Sequence, residues 1–189
     1  AAPLHGLQGQ ADDIPPPILK FMGDAQTVDH PSEAGTGLDQ FGQLVGVWKM
    51  TSHALYQGNW LSGWPSYWAW KYSVGGTVIQ DYFFQAKEDL PPIKSQDFDT
   101  HGFNLRVYDE ATDSWNVTWI ANSGPEMRLS ATYANEMIYL TSEAEADKNW
   151  RIVFYEISSD SFKWRQEFLQ EDGSWKYEYY LTGKKIYRL

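Results

Sequence analysis

Cysteine is absent from this 189-residue chain, which excludes disulfides, thiolate metal sites and a cysteine nucleophile and leaves the redox compartment open. Histidine is scarce: the four are His5, His30, His53 and His101, and no His-x-His or His-Glu-x-x-His spacing occurs, so no metal is expected. No window approaches the roughly 18 consecutive apolar residues of a membrane-spanning helix; the longest apolar runs, such as Tyr82-Phe83-Phe84, are short. Positive charge is in deficit. Fifteen Lys and Arg stand against twenty-five Asp and Glu, a formal charge of −10 that repels a phosphate backbone or an anionic membrane surface on average. Nucleic acid and a membrane span are therefore not expected partners. Gly-x-Ser-x-Gly, phosphate-cradling glycine loops and dinucleotide fingerprints are all missing, so no cofactor is implied. The chain reads as soluble, and a cytoplasmic or an exported protein fits equally; its first residues, Ala1-Ala2-Pro3, are compatible with a processed end or a trimmed one.

What is abundant is aromatic. Ten Trp, twelve Tyr and nine Phe accompany only four Met, and the Leu/Ala/Glu/Lys stretches of helical bundles do not occur, which favours strands. The length suits one domain plus an arm. Residues 1–36 read as that irregular N-terminal arm: they hold Pro15-Pro16-Pro17 and Pro31 and show no alternation. Within it Ile18-Leu19-Lys20-Phe21-Met22 predicts a helical turn or two, with Pro17 at the first position and Gly23 as stop.

Residues 37–189 change character. Short alternating runs recur every ten to twelve positions and predict about ten strands, at 46–57, 64–74, 77–86, 101–109, 114–121, 126–133, 137–143, 149–158, 161–170 and 174–188. The connectors, among them Gly58-Asn59, Gly75-Gly76 and Glu171-Asp172-Gly173, are too short for crossover helices, so neighbours pair antiparallel. One connector, 87–100 with Pro91-Pro92, is long enough to lie over an opening. The expected fold is all-β, an up-and-down antiparallel barrel. Alternation separates rings from charges. Trp68, Trp70 and Tyr72 share a face, as do Trp115, Val117 and Trp119, then Trp150, Ile152 and Phe154, then Phe162, Trp164, Gln166 and Phe168, then Tyr177 and Tyr179; these faces should point inward.

Several segments resemble a known family. Gly46-Val47-Trp48 is similar to the Gly-x-Trp entry to the first barrel strand of lipocalins and their calycin relatives. Residues 68–82, from Trp68 through Gly75-Gly76 to Tyr82, resemble the strand, Gly-Gly turn, strand segment of the bacterial DUF1579-type lipocalin-like proteins. Val107-Tyr108-Asp109 with Trp115, and Glu171-Asp172-Gly173-Ser174-Trp175 with Tyr187-Arg188, are similar to that family's Tyr-Asp hairpin and closing strand. The resemblance covers residues 38–188. It departs after the fifth strand, where the family often has an acid and this chain has Ala121-Asn122-Ser123-Gly124. It implies a calycin barrel and, through relatives that enclose apolar ligands, a binding role, but no settled reaction. Trp48 is then expected to plug the barrel floor beneath Arg188.

A ten-strand barrel is wider than the size its side chains just fill, so a cavity for an apolar or aromatic ligand is expected. Its candidate walls are Trp68, Trp70, Tyr72, Tyr82, Trp119 and Trp164, with Gln80, Gln166 and Tyr177 as orienting hydrogen-bond groups. The alternative is a metal-independent enzyme of isomerase, cyclase or lyase type on the same barrel, moving a proton with His53, Asp81 or His101. Periodicity places His53 outside, opposite Trp48 and Met50. A third reading is an interaction module or homodimer that uses the outer Tyr67 and Tyr155. Ser32, Ser62 and Ser123, the pairs Asp97/Asp99 and Glu143/Glu145, and the triplet Asn116-Val117-Thr118 read as loop, solvated and coincidental features respectively.

Overall fold

The computed structural model describes residues 14–23, 29–32 and 36–188; His5 and most of the expected arm lie outside the described residues. The alternating runs form eleven strands: β1 (Gly46–Tyr56), β2 (Asn59–Ser73), β3 (Val78–Gln85), β4 (Thr100–Asp109), β5 (Ser114–Ala121), β6 (Met127–Ala134), β7 (Met137–Ser142), β8 (Trp150–Tyr155), β9 (Ser161–Leu169), β10 (Trp175–Lys176) and β11 (Tyr179–Tyr187). β1 to β9 pair in sequence order, β9 pairs with β11, and β11 pairs with β1, so ten antiparallel strands close on themselves. Closure leaves no exposed edge in the ring. The short β10 is an addition on β9.

Local chemistry explains where the boundaries fall. β1 and β2 meet through Gln57 and Gly58, both at positive φ (49° and 79°), the geometry of a tight hairpin whose second place glycine fills at no steric cost. β2 therefore starts at Asn59, earlier than residue 64, and absorbs Gly63-Trp64 as a bulge: Thr51 pairs with Pro65 and Ser52 with Gly63. His53 lies beyond this bulge and keeps its outward direction. The last expected strand is split. Lys176 pairs with Phe168 of β9, and pairing resumes at Tyr180 with Arg165, so Tyr177 falls in the break and leaves the inward parity that Tyr179 keeps.

Among the described residues two short α-helices, α1 (Pro16–Met22) and α2 (Asp39–Gly42), use the barrel differently. α1 starts on proline and ends at Gly23 (φ 61°), whose N–H donates to the Leu19 carbonyl at 3.1 Å. Its Ile18 and Met22, with Ile14, pack on the outer wall against Val47, Ala69 and Phe84, and Phe21 stacks on Tyr82 with ring centroids 5.6 Å apart. α2 closes one end of the barrel. Its Phe41 is fully buried, 6.0 Å from Trp70 and edge-on to Trp115 and Phe154. Trp48 belongs to this floor, its indole N–H donating to the Leu44 carbonyl at 2.7 Å and its ring edge-on to Phe162. The cation over Trp48 is Lys185, at 4.7 Å, because Arg188 pairs with Asp160 instead.

Candidate functional site

Strand direction sorts the barrel into two ends. β1 begins at the α2 floor and β4 runs toward it, so Thr100, Gln85, Ala121, Met127 and Tyr179 lie at the opposite end, crossed by connector 86–99. Beneath that connector is a cavity of about 230 Å³, walled by Trp68, Phe83, Leu140, Ile152, Trp164 and Leu181 among others. Trp119 adds a ring to the wall because its diagonal neighbour on β4 is small: a Cβ on Gly102 would sit 1.7 Å from the Trp119 ring.

The polar groups at the cavity come from strands whose inward positions are not apolar. On β4 the inward residues are Thr100, Gly102, Asn104 and Arg106, while Phe103, Leu105 and Val107 face out. On β3 the inward residues include Asp81 and Gln85. The Asp81 carboxylate is completely buried and accepts three hydrogen bonds: from Trp68 Nε1 (2.6 Å) and Asn104 Nδ2 (2.7 Å) on Oδ1, and from Arg106 Nε (2.6 Å) on Oδ2. Arg106, only 2% exposed, is held between rings, 4.4 Å from the Phe41 centroid and 4.5 Å from that of Trp70. Burial lowers the Arg106 pKa from its ordinary value, and the Asp81 charge and hydrogen bond oppose that shift. Because Oδ1 is already taken, the pair is not bidentate, and Arg106 Nη1 has no hydrogen-bond partner among the described residues. An unsatisfied buried N–H of a charged group costs more than the ~1–3 kcal/mol of a neutral one. Arg106 lines the cavity; Asp81 lies behind the wall.

At the connector end, Lys94 reaches the cavity from above. Its Nζ donates to Gln85 Oε1 (3.2 Å) and lies 5.4 Å from the Tyr179 ring centroid. Burial without a facing carboxylate lowers its pKa to about 8. Gln85 is itself fastened, its amide donating to the Asp89 carbonyl at 2.9 Å. Tyr179 shares a hydrogen bond with Ser52 Oγ (3.0 Å), and its burial pushes the phenol up to about 12.

Of the residues the sequence nominates, Trp68, Trp119, Trp164 and Gln166 are brought together in the cavity wall. Trp70 lies deeper, packed between Phe41 and Trp68. Tyr72 sits at the floor beside Gly42, outside the cavity. Tyr82 is on the outer wall, stacked on Phe21 and bonded to His101 Nδ1 at 2.6 Å, and Gln80 shares its parity. Tyr177 joins Trp60 and Tyr180 in a ring cluster outside the cavity. Among the proton carriers, His53 is held outside between Ser62 Oγ (2.7 Å) and Thr182 Oγ1 (2.9 Å), stacked on Tyr180, while His101 faces Tyr82 on the outer wall. Burial, reinforced by the Lys163 charge, lowers the His53 pKa. Neither histidine nor Asp81 lines the cavity. Outer Tyr155 is mostly covered by Arg165, 4.3 Å from its ring.

Arg106, Asn104 and Lys94 are polar wall residues absent from the sequence-based candidates, and Tyr179, expected to face inward, joins the wall as well. The signal for the first two is the alternation of β4 itself, once its apolar side is recognised as the outside. Among the described residues, no three His, Asp or Glu side chains are placed to hold a metal ion, and no helix is long and apolar enough to cross a membrane.

Comparison with known proteins supports the fold. No family model and no curated protein matches the chain. Among solved structures it is similar to Rv2717c from M. tuberculosis, with a TM-score of 0.53 and 10% sequence identity over 81% of this chain and 99% of that one. At that identity the likeness concerns the barrel and nothing finer.

Proposed function

We propose that the chain is a small-molecule binding protein built on a lipocalin-like, calycin-type barrel of the DUF1579 kind, enclosing an apolar or aromatic ligand. The observation that carries this reading is the cavity of about 230 Å³, apolar on most sides, next to a floor that is filled ring to ring. Partly open and largely apolar, it leaves its wall rings short of packing contacts when no guest is bound. A guest that fills it regains those contacts and sheds its own hydration. Trp68, Trp119 and Trp164 supply flat faces, and Gln166 with Asn104 supplies orientation. The catalytic alternative through His53, Asp81 and His101 lacks a titratable atom of the three in the wall, so binding is our reading.

Titration of intrinsic tryptophan fluorescence with small aromatic compounds tests it. Saturable quenching at one site is expected, with affinities unchanged in His53→Ala and His101→Ala. Absence of a saturable response to every compound would overturn the reading.

A further inference from the structure

Among the described residues, the cavity wall contains two charged side chains, Lys94 and Arg106, and no carboxylate. They are differently placed. Arg106 follows Thr100 by six positions on β4, roughly 20 Å along the strand, so it lies at the deep end while Lys94 hangs at the connector end. Their electrostatic surroundings differ as well. Asp81 directly behind Arg106 makes the deep end neutral and repels a second anion, yet Nη1 still lacks an acceptor. Among the described residues Lys94 meets the Gln85 amide oxygen from β3 and the Tyr179 ring from β11, and no carboxylate among them contributes to its shift. A void of roughly 150 Å³ admits benzene; about 230 Å³ admits one ring with short substituents at both ends.

Resting on the binding reading above, we infer that the ligand is an aromatic monocarboxylate with a neutral acceptor oxygen at the opposite end of its ring. Arg106 Nη1 donates to the neutral oxygen, Lys94 Nζ pairs with the carboxylate, and the tryptophans cover the ring. A protein of net charge −10 thus keeps in its cavity a cation, Lys94, that no carboxylate of the described residues faces, which opposes the binding of amines as well.

Calorimetric titrations with matched para-substituted probes separate the parts. 4-Acetylbenzoate carries both groups, 4-acetylbenzamide lacks the charge, 4-ethylbenzoate lacks the acceptor, and 1,4-diethylbenzene lacks both. At pH 7 the first is expected to bind roughly tenfold or more tighter than either singly depleted probe. Lys94→Gln should abolish the preference for the acid over the amide, and Arg106→Lys the preference for acetyl over ethyl. Above about pH 8, where Lys94 loses its proton, the acid's advantage should fade while amide binding stays flat. If Arg106→Lys fails to fold, the Lys94→Gln ratio decides: an acid preference undiminished in that variant overturns the inference. Equal binding of all four probes also overturns it and leaves the binding reading standing. Failure of every probe, 1,4-diethylbenzene included, removes the binding reading and this inference with it.

Discussion

At the α2 end of the barrel, Phe41, Trp48, Trp70, Trp115 and Phe162 are buried and pack ring against ring. At the connector end, Trp119, Trp150 and Trp164 are only half-buried and stand around a void. Both ends are equally rich in indoles, so aromatic content alone does not decide whether a barrel is filled. What differs is the cover. α2 inserts Phe41 into its end, whereas connector 86–99 contributes Lys94 and polar anchors to Gln85, which cannot fill an apolar space.

The contrast can be broken most severely from the floor. Trp70→Ala should cost roughly 4–5 kcal/mol, since no neighbour can collapse into the gap, while Trp164→Ala at the hollow end should cost about 1–2 kcal/mol, as that ring already borders empty space. Chemical denaturation of both variants compares them directly. The seam between the ends is the Asp81–Arg106 pair. Asp81→Ala leaves Arg106 buried without a counter-charge and should lose about 3–4 kcal/mol; Asp81→Ala with Arg106→Met should lose clearly less than the sum of the singles in a double-mutant cycle.

Lys94 sharpens the comparison through pH. Its folded pKa of about 8 lies below the ordinary 10.5, so between those values the unfolded chain binds the proton and the folded one does not. Stability attributable to this residue therefore rises with pH across that window and is lowest below it. Lys94→Met should be the more stable protein at pH 7, by up to ~3 kcal/mol, with the gap closing toward pH 10.5 in paired denaturation series. A residue that costs stability where it stands is the pattern expected of a binding group. The smallest effect is at Gly102. Gly102→Ala must displace the Trp119 ring, costing about 1 kcal/mol in stability but lowering ligand affinity several-fold in a fluorescence titration.

The barrel itself was legible because β5 has one face in solvent and one in the core, with Trp115, Val117 and Trp119 inward, and β9 sets Phe162, Trp164 and Gln166 against Lys163, Arg165 and Glu167, so both carry a period of two. Legibility fails where the outside is also covered. α1 buries Phe84 and draws Tyr82, Phe103 and Phe21 together, so on β3 and β4 both faces carry apolar residues and parity is ambiguous. For that reason Gln80 and Tyr82 read as inward, and Arg106 was passed over: Phe103, Leu105 and Val107 look like the core side of β4 and are its outer side. Tyr177 was misplaced for a different reason, a two-residue break that no composition signals. Lys94 comes from a connector whose path depends on tertiary anchors at Gln85 and Asp89.

The central claim is that the connector end holds a guest and the α2 end does not. Indole N–H resonances of uniformly ¹⁵N-labelled protein, followed while a small aromatic compound is added, address it residue by residue. The account predicts saturable shifts at Trp119, Trp150 and Trp164 with Trp48, Trp70 and Trp115 nearly still. Shifts confined to Trp60 and Trp175, which lie outside the cavity, or none at saturation, would contradict it.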